Sequence, residues 1–328
     1  MTGKSTNGRL FSASLRFTGA ACLFAAMAAL LAAQQGTVAG PTSGLIFDQA
    51  AGILRPVLGV PGSATFGDGI ALNYPANWVV VAPRTDSAVV AAEDGSLHFL
   101  RLASGAVSEL AVPEITQVPR TVVYSPSGTA VALVYSAHAQ VVTGLPGAPA
   151  VGKIMALEDA SETRTRANSP AVSDSVALSD DGNVLLEAYG GTVRLAGAFG
   201  RNRLMAGVMA AFAPGGHDAA VADGAGVTLV RDVDSSAQST ALATQGVEQP
   251  VGLAFSADGA TVFAAGSTGV VALSTAGGSP NPVACSCTPV RLAAMGQVFV
   301  LNQPGQGPLW LLDPNNSAPR TVFVPALR

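Results

Sequence analysis

The sequence predicts an all-β chain that is assembled from repeated antiparallel units. Short apolar runs alternate with turn residues along most of its length. One pattern, a strand, a glycine turn and a second strand, recurs at a spacing of about forty residues. No stretch after residue 40 shows the 3.6-residue apolar period of an amphipathic helix.

The recurring pattern is typical of a β-hairpin. Its clearest copies are VVYSPSGTAVALVY (122–135), VALSDDGNVLLEAY (176–189), AAFAPGGHDAAVAD (210–223) and LAFSADGATVFAAG (253–266). Each copy has a glycine between its apolar runs, and glycine adopts positive φ freely, while Ser, Asp and Pro favour tight turns beside it. Two β-rich runs joined in this way predict a hairpin at every copy.

The spacing of the hairpins predicts the architecture. The predicted turn glycines are Gly128, Gly182, Gly216 and Gly259, at intervals of 54, 34 and 43 residues. Weaker copies at 77–94 and 290–302 bring the hairpins to six, and further apolar strands follow each of them. A period of this length matches the four-stranded blades of a β-propeller.

The N-terminal stretch SGLIFDQAAGILRPVLGVPG (43–62) leaves the blade number open. It has the pattern of a third and fourth strand without the hairpin that precedes them in the other repeats. It either joins another blade or builds a blade of its own, so we expect six or seven blades.

The turns themselves resemble those of known repeat families. VYSPSG (123–128), ALSDDG (177–182) and AFSADG (254–259), each followed by an apolar strand, are similar to turns of the NHL, YVTN and WD40-like β-propellers. The resemblance covers roughly residues 45–325, and no Trp-Asp dipeptide ends a third strand. It implies a fold and no particular activity, because these families include both enzymes and interaction modules. A pair of two-sheet sandwiches is the alternative, but it leaves the period unexplained.

A segment of different composition precedes the repeats. Three basic residues are followed by seventeen uncharged, mostly apolar residues (17–33), and then by small residues that end at Ala39. This order is typical of a secretory signal peptide. An uncleaved membrane anchor is the alternative, because seventeen residues reach the lower limit for a spanning helix. Residues 1–39 are therefore expected to export a single propeller domain (40–328) to the periplasm, the cell surface or the medium.

Charge excludes one class of partner. Charged residues make up only 12% of the chain. Without residues 1–39, fourteen basic residues stand against 21 acidic ones, and the formal net charge changes from −4 to −7. Nucleic-acid binding needs basic patches that release counterions. With no cluster of Lys or Arg in the sequence, we expect no nucleic-acid partner, and membrane association only through a retained N-terminal segment.

The sequence predicts no catalytic, cofactor-binding or metal-binding residue. His98, His138 and His217 fall at strand starts and turns, where solvent-exposed histidines are expected. Asp232 and Asp234 lie two residues apart, but they lack the further oxygen ligands and the glycine of a calcium-binding loop. Nucleophile, phosphate-binding and dinucleotide motifs are missing from the sequence. No cofactor is therefore expected.

Two cysteines form a candidate disulfide. Cys285 and Cys287 are separated by one residue, in a chain that is expected to reach an oxidising compartment. In an extended strand their Cα atoms would lie about 6.6 Å apart, whereas disulfides prefer about 5.5–6 Å. A bridge therefore requires a bent backbone, which Pro282 and Pro289 favour. Two buried thiols, a metal or redox role and intermolecular pairing are the alternatives.

The longest interval between hairpins carries a charged insertion, residues 156–174. Its charged residues are Glu158, Asp159, Glu162, Arg164 and Arg166. Loops on rigid scaffolds often carry recognition, so this insertion is a candidate interaction loop. An ordinary solvated loop is the alternative.

These observations together predict an exported binding or scaffolding module without catalytic activity. Its partner is expected to be a protein or a carbohydrate, recognised by loops or by a mouth of the central channel. The alternative is a propeller enzyme, a metal-dependent lactonase or hydrolase or a lyase. Such an enzyme would bring three or more carboxylate, histidine or asparagine groups together at the channel. A structural protein whose repeats serve packing alone is a third possibility.

Overall fold

We describe the fold from a computed structural model that covers residues 40–103, 106–112, 115, 117–157, 175–197, 204–303, 305, 307–315 and 318–326. In these ranges the regular secondary structure consists of 28 β-strands, which form seven antiparallel sheets. The chain is a seven-bladed β-propeller. The predicted signal segment, residues 1–39, lies outside the described residues. Within them, no helix has the length and apolar character that a membrane crossing needs.

The blades follow one another along the chain. Blade 1 comprises β1 (Thr42–Asp48), β2 (Ile53–Leu58), β3 (Thr65–Phe66) and β4 (Ile70–Ala71). Blade 2 comprises β5 (Ala76–Val81), β6 (Ser87–Ala92), β7 (Leu97–Ala103) and β8 (Ala106–Leu110). Blade 3 comprises β9 (Thr121–Tyr124), β10 (Ala130–Val134), β11 (His138–Thr143) and β12 (Ala150–Ala156). Blade 4 comprises β13 (Ser175–Leu178), β14 (Val184–Tyr189), β15 (Thr192–Gly197) and β16 (Leu204–Ala206).

The remaining blades have the same order. Blade 5 comprises β17 (Met209–Phe212), β18 (Ala219–Ala222), β19 (Val227–Arg231) and β20 (Gln238–Ala243). Blade 6 comprises β21 (Gly252–Phe255), β22 (Thr261–Gly266), β23 (Gly269–Ser274) and β24 (Asn281–Val283). Blade 7 comprises β25 (Ala293–Met295), β26 (Val298–Val300), β27 (Leu309–Asp313) and β28 (Arg320–Val324). In blades 2 to 7, four consecutive strands pair in sequence order, and the first strands line a common central cavity.

The second strand of a blade explains the apolar composition of the chain. Every residue of β6, β10, β18 and β26 is buried. Both faces of these strands pack against other blades. Their sequences are therefore continuous apolar runs, without an alternation of apolar and polar residues. Alanine and valine dominate these runs, because neighbouring blades leave little room between their sheets.

The predicted hairpin turns join the first and second strands. In blades 3, 4 and 6 the turn glycine has positive φ, and its N–H donates to the carbonyl of a serine three residues earlier. These pairs are Gly128 with Ser125 (2.9 Å), Gly182 with Ser179 (3.0 Å) and Gly259 with Ser256 (2.9 Å). The same serine hydroxyl accepts an N–H at the start of the second strand, which fixes the turn.

Blade 5 departs from the predicted turn. Gly215 has positive φ, at +74°, whereas Gly216 has an ordinary backbone conformation. The sequence assigned the turn to Gly216, and that assignment is wrong. Two adjacent glycines offer two ways to place a left-handed residue, and the sequence pattern does not distinguish them.

We expect Gly215→Ala and Gly216→Ala to differ in stability. Alanine at position 215 would have to keep the left-handed backbone conformation, which costs a non-glycine residue about 1–2 kcal/mol. Gly216→Ala should be neutral, or stabilising by about 0.4–1 kcal/mol, because it restricts the unfolded chain. Thermal unfolding of the two variants beside the unmodified protein checks this expectation. Equal destabilisation by both would contradict it.

Blade 1 is narrower than the others. Its β1 pairs with β2 along the whole length of β2, and the short strands β3 and β4 both pair with the opposite edge of β2. The four strands therefore occupy only three strand positions. Among the described strands, β1 pairs with β2 alone.

The direction of β1 shows which strand is missing. Gln49, which follows β1, lines the same pocket as Asn77 at the start of β5 and Arg291 just before β25. We refer to this side of the ring as the upper face. Since β1 ends where β5 and β25 begin, it runs opposite to the first strands and in the direction of the second strands. Blade 1 therefore lacks a first strand among its described residues.

The ring closes without a shared sheet. At the lower face the N–H of Gly296 in blade 7 donates to the carbonyl of Pro83 in blade 2 at 2.7 Å. Side chains of blades 1 and 7 form one apolar cluster. It contains Ile46, Val57 and Ala64 from blade 1, and Met295, Val298, Val300, Leu309, Leu311 and Val324 from blade 7. The N-terminal stretch thus builds a seventh blade of its own, and the last blade is complete.

Candidate functional site

The central cavity has a volume of about 390 Å³ and is lined by the first strands of blades 2 to 7. Apart from Tyr124, Ser125 and Ser175, the residues that line it are apolar or glycine. None of these lining residues, all of which the structure describes, carries a charge. The convergent carboxylate and histidine groups that a propeller enzyme would place here are not among them.

A second cavity, the first-blade pocket, lies at the position that a first strand occupies in the other blades. It has a volume of about 250 Å³ between β1, β5 and β25. Leu45, Phe47 and Trp78 are among its apolar walls. It shares lining residues of β5 and β25 with the central cavity, so the two cavities adjoin.

Polar groups collect at the upper end of the first-blade pocket. They are the side chains of Arg291, Gln49, Asn77 and Gln303. The Nε of Arg291 donates to the carbonyl of Asn302 at 3.1 Å. The side chain is half-buried, and burial lowers the pKa of its guanidinium. Sequence reasoning did not find this group, because its members come from distant parts of the chain.

A groove on the lower face has a different electrostatic character. It has a volume of about 760 Å³, and Arg84 and Arg320 line it. Both arginines pair with carboxylates, Arg84 with Asp86 at 2.8 Å and Arg320 with Asp313 at 3.3 Å. The cations of this groove are therefore neutralised within the protein.

His98 belongs to a hydrogen-bonded chain in blade 2. Its Nε2 lies 2.7 Å from the Oγ of Ser96, and its Nδ1 lies 3.0 Å from a carboxylate oxygen of Glu109. The ring of Tyr74 stacks on the imidazole at 3.9 Å, and burial, with a smaller contribution from the charge of Glu109, raises the pKa of Tyr74 to about 12. The expectation of a solvent-exposed turn histidine is therefore wrong for His98.

The order serine, histidine, glutamate resembles a catalytic triad, but the hydrogen bonds argue against one. The Oγ of Ser96 lies 2.5 Å from a carboxylate oxygen of Asp94, so the serine proton points to that carboxylate. The hydroxyl of Ser96 has one proton, and the carboxylate of Asp94 competes for it with the Nε2 of His98, so the serine is not held in the orientation that a nucleophile needs. This arrangement stabilises the turn between β6 and β7.

His217 lies between two carboxylates. Its Nε2 is 3.2 Å from Asp181 in the neighbouring blade, and its Nδ1 is 2.8 Å from Asp234. Partial burial works against a charge on the imidazole, but the hydrogen bonds and charges of the two aspartates outweigh it and raise the pKa of His217. Asp234 thus has a histidine partner, which its place in a polar loop did not predict.

We expect the stability supplied by His217 to depend on pH. Because its pKa is raised in the folded protein, this contribution is complete below the unfolded value of about 6.5 and is lost as the pH rises through the folded value. His217→Asn should therefore lower the unfolding temperature more at pH 5.5 than at pH 9. His138→Asn is the control, because the ring of His138 stacks on the ring of Tyr135 at 4.7 Å and forms no ion pair with a described carboxylate. A loss that does not change with pH would contradict the expectation.

Asp180 connects three blades through their turns. From the blade 4 turn, its two carboxylate oxygens accept the N–H of Ser127 in blade 3 at 2.6 Å and the N–H of Gly215 in blade 5 at 2.7 Å. Charge-assisted hydrogen bonds of this kind are short and strong. Asp180 therefore links blades 3, 4 and 5 to one another at the lower face.

Cys285 and Cys287 form a close pair, with Cα atoms 5.1 Å apart. This separation is shorter than in an extended strand, so the backbone bends as a bridge requires. The oxidised state of the pair stays a prediction. Alkylation of the denatured protein, before and after reduction, should show two additional reactive thiols only after reduction. Alkylation of both cysteines without reduction would contradict the disulfide.

The candidate interaction loop connects blade 3 to blade 4. Its residues Glu158, Asp159, Glu162, Arg164 and Arg166 lie outside the described residues, between β12 and β13. Its role in recognition stays a prediction.

Comparison with known proteins agrees with the fold and leaves the activity open. No protein family and no curated protein matches the chain. A functionally unknown protein from Desulfotomaculum acetoxidans DSM 771 is similar in structure, with a TM-score of 0.53, 13% identity, and coverage of 87% of this chain and 99% of that chain.

Two further solved structures are similar at lower TM-scores. One is a "putative 6-phosphogluconolactonase" from Bacteroides uniformis ATCC 8492, with a TM-score of 0.49, 12% identity, and coverage of 89% of this chain and 95% of that chain. The other is the β-propeller domain of Cps50 (Swd1) from Myceliophteria thermophila, with a TM-score of 0.42, 17% identity, and coverage of 61% and 67%. Likeness at such identities shows the fold alone.

Proposed function

We propose that this protein is an exported binding module that presents a rigid propeller surface to a protein or carbohydrate partner and catalyses no reaction. The uncharged wall of the central cavity carries the proposal. Hydrolysis or elimination needs groups that donate, accept or stabilise charge at the reacting atoms. Apart from the hydroxyl groups of Tyr124, Ser125 and Ser175, the side chains that line this cavity offer none of these.

Rigidity supports a binding role. The turns of blades 3, 4 and 5 are tied together by Asp180, and the second strands of the blades are buried. A preformed surface loses little conformational freedom when it binds, so more of the contact energy contributes to affinity. The charged insertion at 156–174 is the segment that we propose to contact the partner. Export is proposed from the composition of residues 1–39.

The test is capture of the exported protein from the envelope of its own cells by mild cross-linking. A loop variant is captured in the same way for comparison. In the variant, the five charged residues become serine: Glu158, Asp159, Glu162, Arg164 and Arg166. The control variant carries Glu93→Ser and Glu248→Ser, two exposed acids elsewhere on the ring. We expect one stoichiometric partner with the unmodified protein and the control, and none with the loop variant.

Two results would overturn the proposal. The first is a protein that stays in the cytoplasm, which removes the export. The second is turnover of a lactone or ester by the purified protein, abolished by a chelator and restored by a divalent metal. That second result would favour the alternative of a metal-dependent enzyme.

A further inference from the structure

The first-blade pocket exists because blade 1 lacks a first strand. In the other blades a strand fills this position, and here β1, β5 and β25 leave an open space between them. The space is closed at the lower face, where Gly296 donates to Pro83 and the side chain of Met295 packs against Gly44. It opens at the upper face, beside Arg291. The pocket therefore has apolar walls and a polar entrance at the upper face, and on its inner side it adjoins the central cavity.

Arg291 brings to this entrance a positive charge that is not paired with a carboxylate among the residues that the structure describes. Arg55, Arg84, Arg231 and Arg320 each pair with a carboxylate at 2.8–3.3 Å. For Arg291 the structure gives a hydrogen bond from Nε to a backbone carbonyl, and no ion pair with any described acidic residue. A half-buried guanidinium is poorly solvated, and an anion at its Nη groups would restore the lost interactions.

The neighbouring side chains suit a carboxylate in particular. Gln49, Asn77 and Gln303 line the same entrance, and each carries an amide NH₂ that can donate to an oxygen. Asn77 already donates to the carbonyl of Ala92 at 3.3 Å, so it has a second N–H to offer. A planar guanidinium with amides around it matches the two oxygens of a carboxylate.

The walls below the entrance suit an apolar body. Leu45 and Phe47 of β1 lie on the side of the pocket formed with Val79 and Val81 of β5. Ile46 points to the other side, where it packs with Met295 and Val300 of blade 7. The pocket volume of about 250 Å³ corresponds, at about 30 Å³ for a water-sized group, to roughly eight such groups. A longer apolar chain can continue into the adjoining central cavity.

We propose that the first-blade pocket binds an amphipathic monocarboxylate, with its carboxylate on Arg291 and its aliphatic body between β1, β5 and β25. The ligand class is a medium-chain carboxylic acid in its ionised form. This site goes beyond the partner-binding loop proposed above, and each of the two proposals can fail without the other.

Calorimetric titration of the purified exported protein with octanoate, octanamide and acetate at pH 7.5 tests the site. Octanamide has the same apolar body without the charge, and acetate has the charge without the body. We expect octanoate to bind at least tenfold more tightly than either. Equal affinities for octanoate and octanamide would overturn the role of Arg291, and equal affinities for octanoate and acetate would overturn the role of the apolar walls.

Two variants test whether the carboxylate of octanoate binds at Arg291. Arg291→Gln should weaken octanoate binding at least tenfold, and Arg320→Gln, on the opposite face, should leave it unchanged. Thermal unfolding of both variants shows that each is folded before it is titrated. If Arg291→Gln were to unfold, Arg291→Lys, which keeps the charge and loses the planar donors, should bind octanoate with intermediate affinity. Unchanged affinity in a folded Arg291 variant would overturn the proposal.

The edge of β1 that pairs with no described strand suggests a different ligand for the pocket, which has to be tested separately. An extended peptide could add to this edge as a strand, held by main-chain hydrogen bonds. A short apolar peptide with blocked ends, titrated into the unmodified protein and Arg291→Gln, distinguishes the two. Tight binding of the peptide to both proteins, with competition against octanoate, would make the pocket a strand-addition site and overturn the carboxylate assignment.

Discussion

Gly44→Ala is expected to lower the stability of the propeller by about 1–3 kcal/mol, the usual cost of overpacking a filled core. Gly44 is buried in β1, and a Cβ at this position would overlap the Cγ of Met295 in blade 7. This contact is one of those that close the ring. Thermal unfolding is the measurement, and the loss should appear as a drop of several degrees in Tm.

Met295→Ala completes the test as a double-mutant cycle. Alone, it should cost about 2–5 kcal/mol, because it removes a buried side chain from the cluster between blades 1 and 7. In the double variant Gly44→Ala/Met295→Ala, the new methyl group enters space that the methionine has left. The stability loss of the double variant should therefore be smaller than the sum of the two single losses by about 0.5–3 kcal/mol. Strict additivity would show that Gly44 and Met295 do not meet.

Gly252→Ala is expected to have the larger effect, because the obstacle is backbone. Gly252 begins β21, and a Cβ on it would lie 2.6 Å from the amide nitrogen and 2.9 Å from the Cα of Leu292. A flexible side chain can rotate away, but the main chain before β25 would have to shift. We expect a loss at or above the upper end of the 1–3 kcal/mol that overpacking costs, measured by denaturant unfolding.

Gly216→Ala is the matched control for both substitutions. The nearest atom to its built Cβ is 4.0 Å away, and its φ is ordinary. Its stability should stay within about 0.5 kcal/mol of the unmodified protein, or exceed it slightly. If Gly252→Ala behaved like this control, blades 6 and 7 would not approach as closely as described.

Much of the fold could be predicted from the sequence, because each blade is local. The hairpin at 253–266 contains its own strands, its turn glycine and the serine that fixes the turn, so the pattern is complete within fourteen residues. The blade number does not follow from the local pattern. The sequence predicts a third and a fourth strand at 43–62, and that prediction is wrong, because β1 and β2 take the places of the second and third strands of blade 1. Whether they join blade 7 depends on contacts across the whole chain.

The candidate site could not be predicted, since it depends on ring closure. Leu45, Trp78 and Arg291 meet at one pocket, and no local pattern links them. His217 is similar: Asp181 lies 36 residues earlier, and the two meet because equivalent turns of adjacent blades lie side by side. The sequence did show the apolar inner strands, but their uncharged cavity follows only from the arrangement of the blades.

The direct hydrogen bond between Gly296 and Pro83 has a consequence for how the chain folds. Every sheet is made from one continuous segment, so its strands find each other over short distances and can form early. Contact between blades 2 and 7 instead closes a loop of more than two hundred residues, and the entropy of that closure must be overcome in one step. Six blades can therefore assemble as an open arc, and the joining of its two ends is expected to be the late, rate-limiting event, with the strands of blade 1 filling the seam.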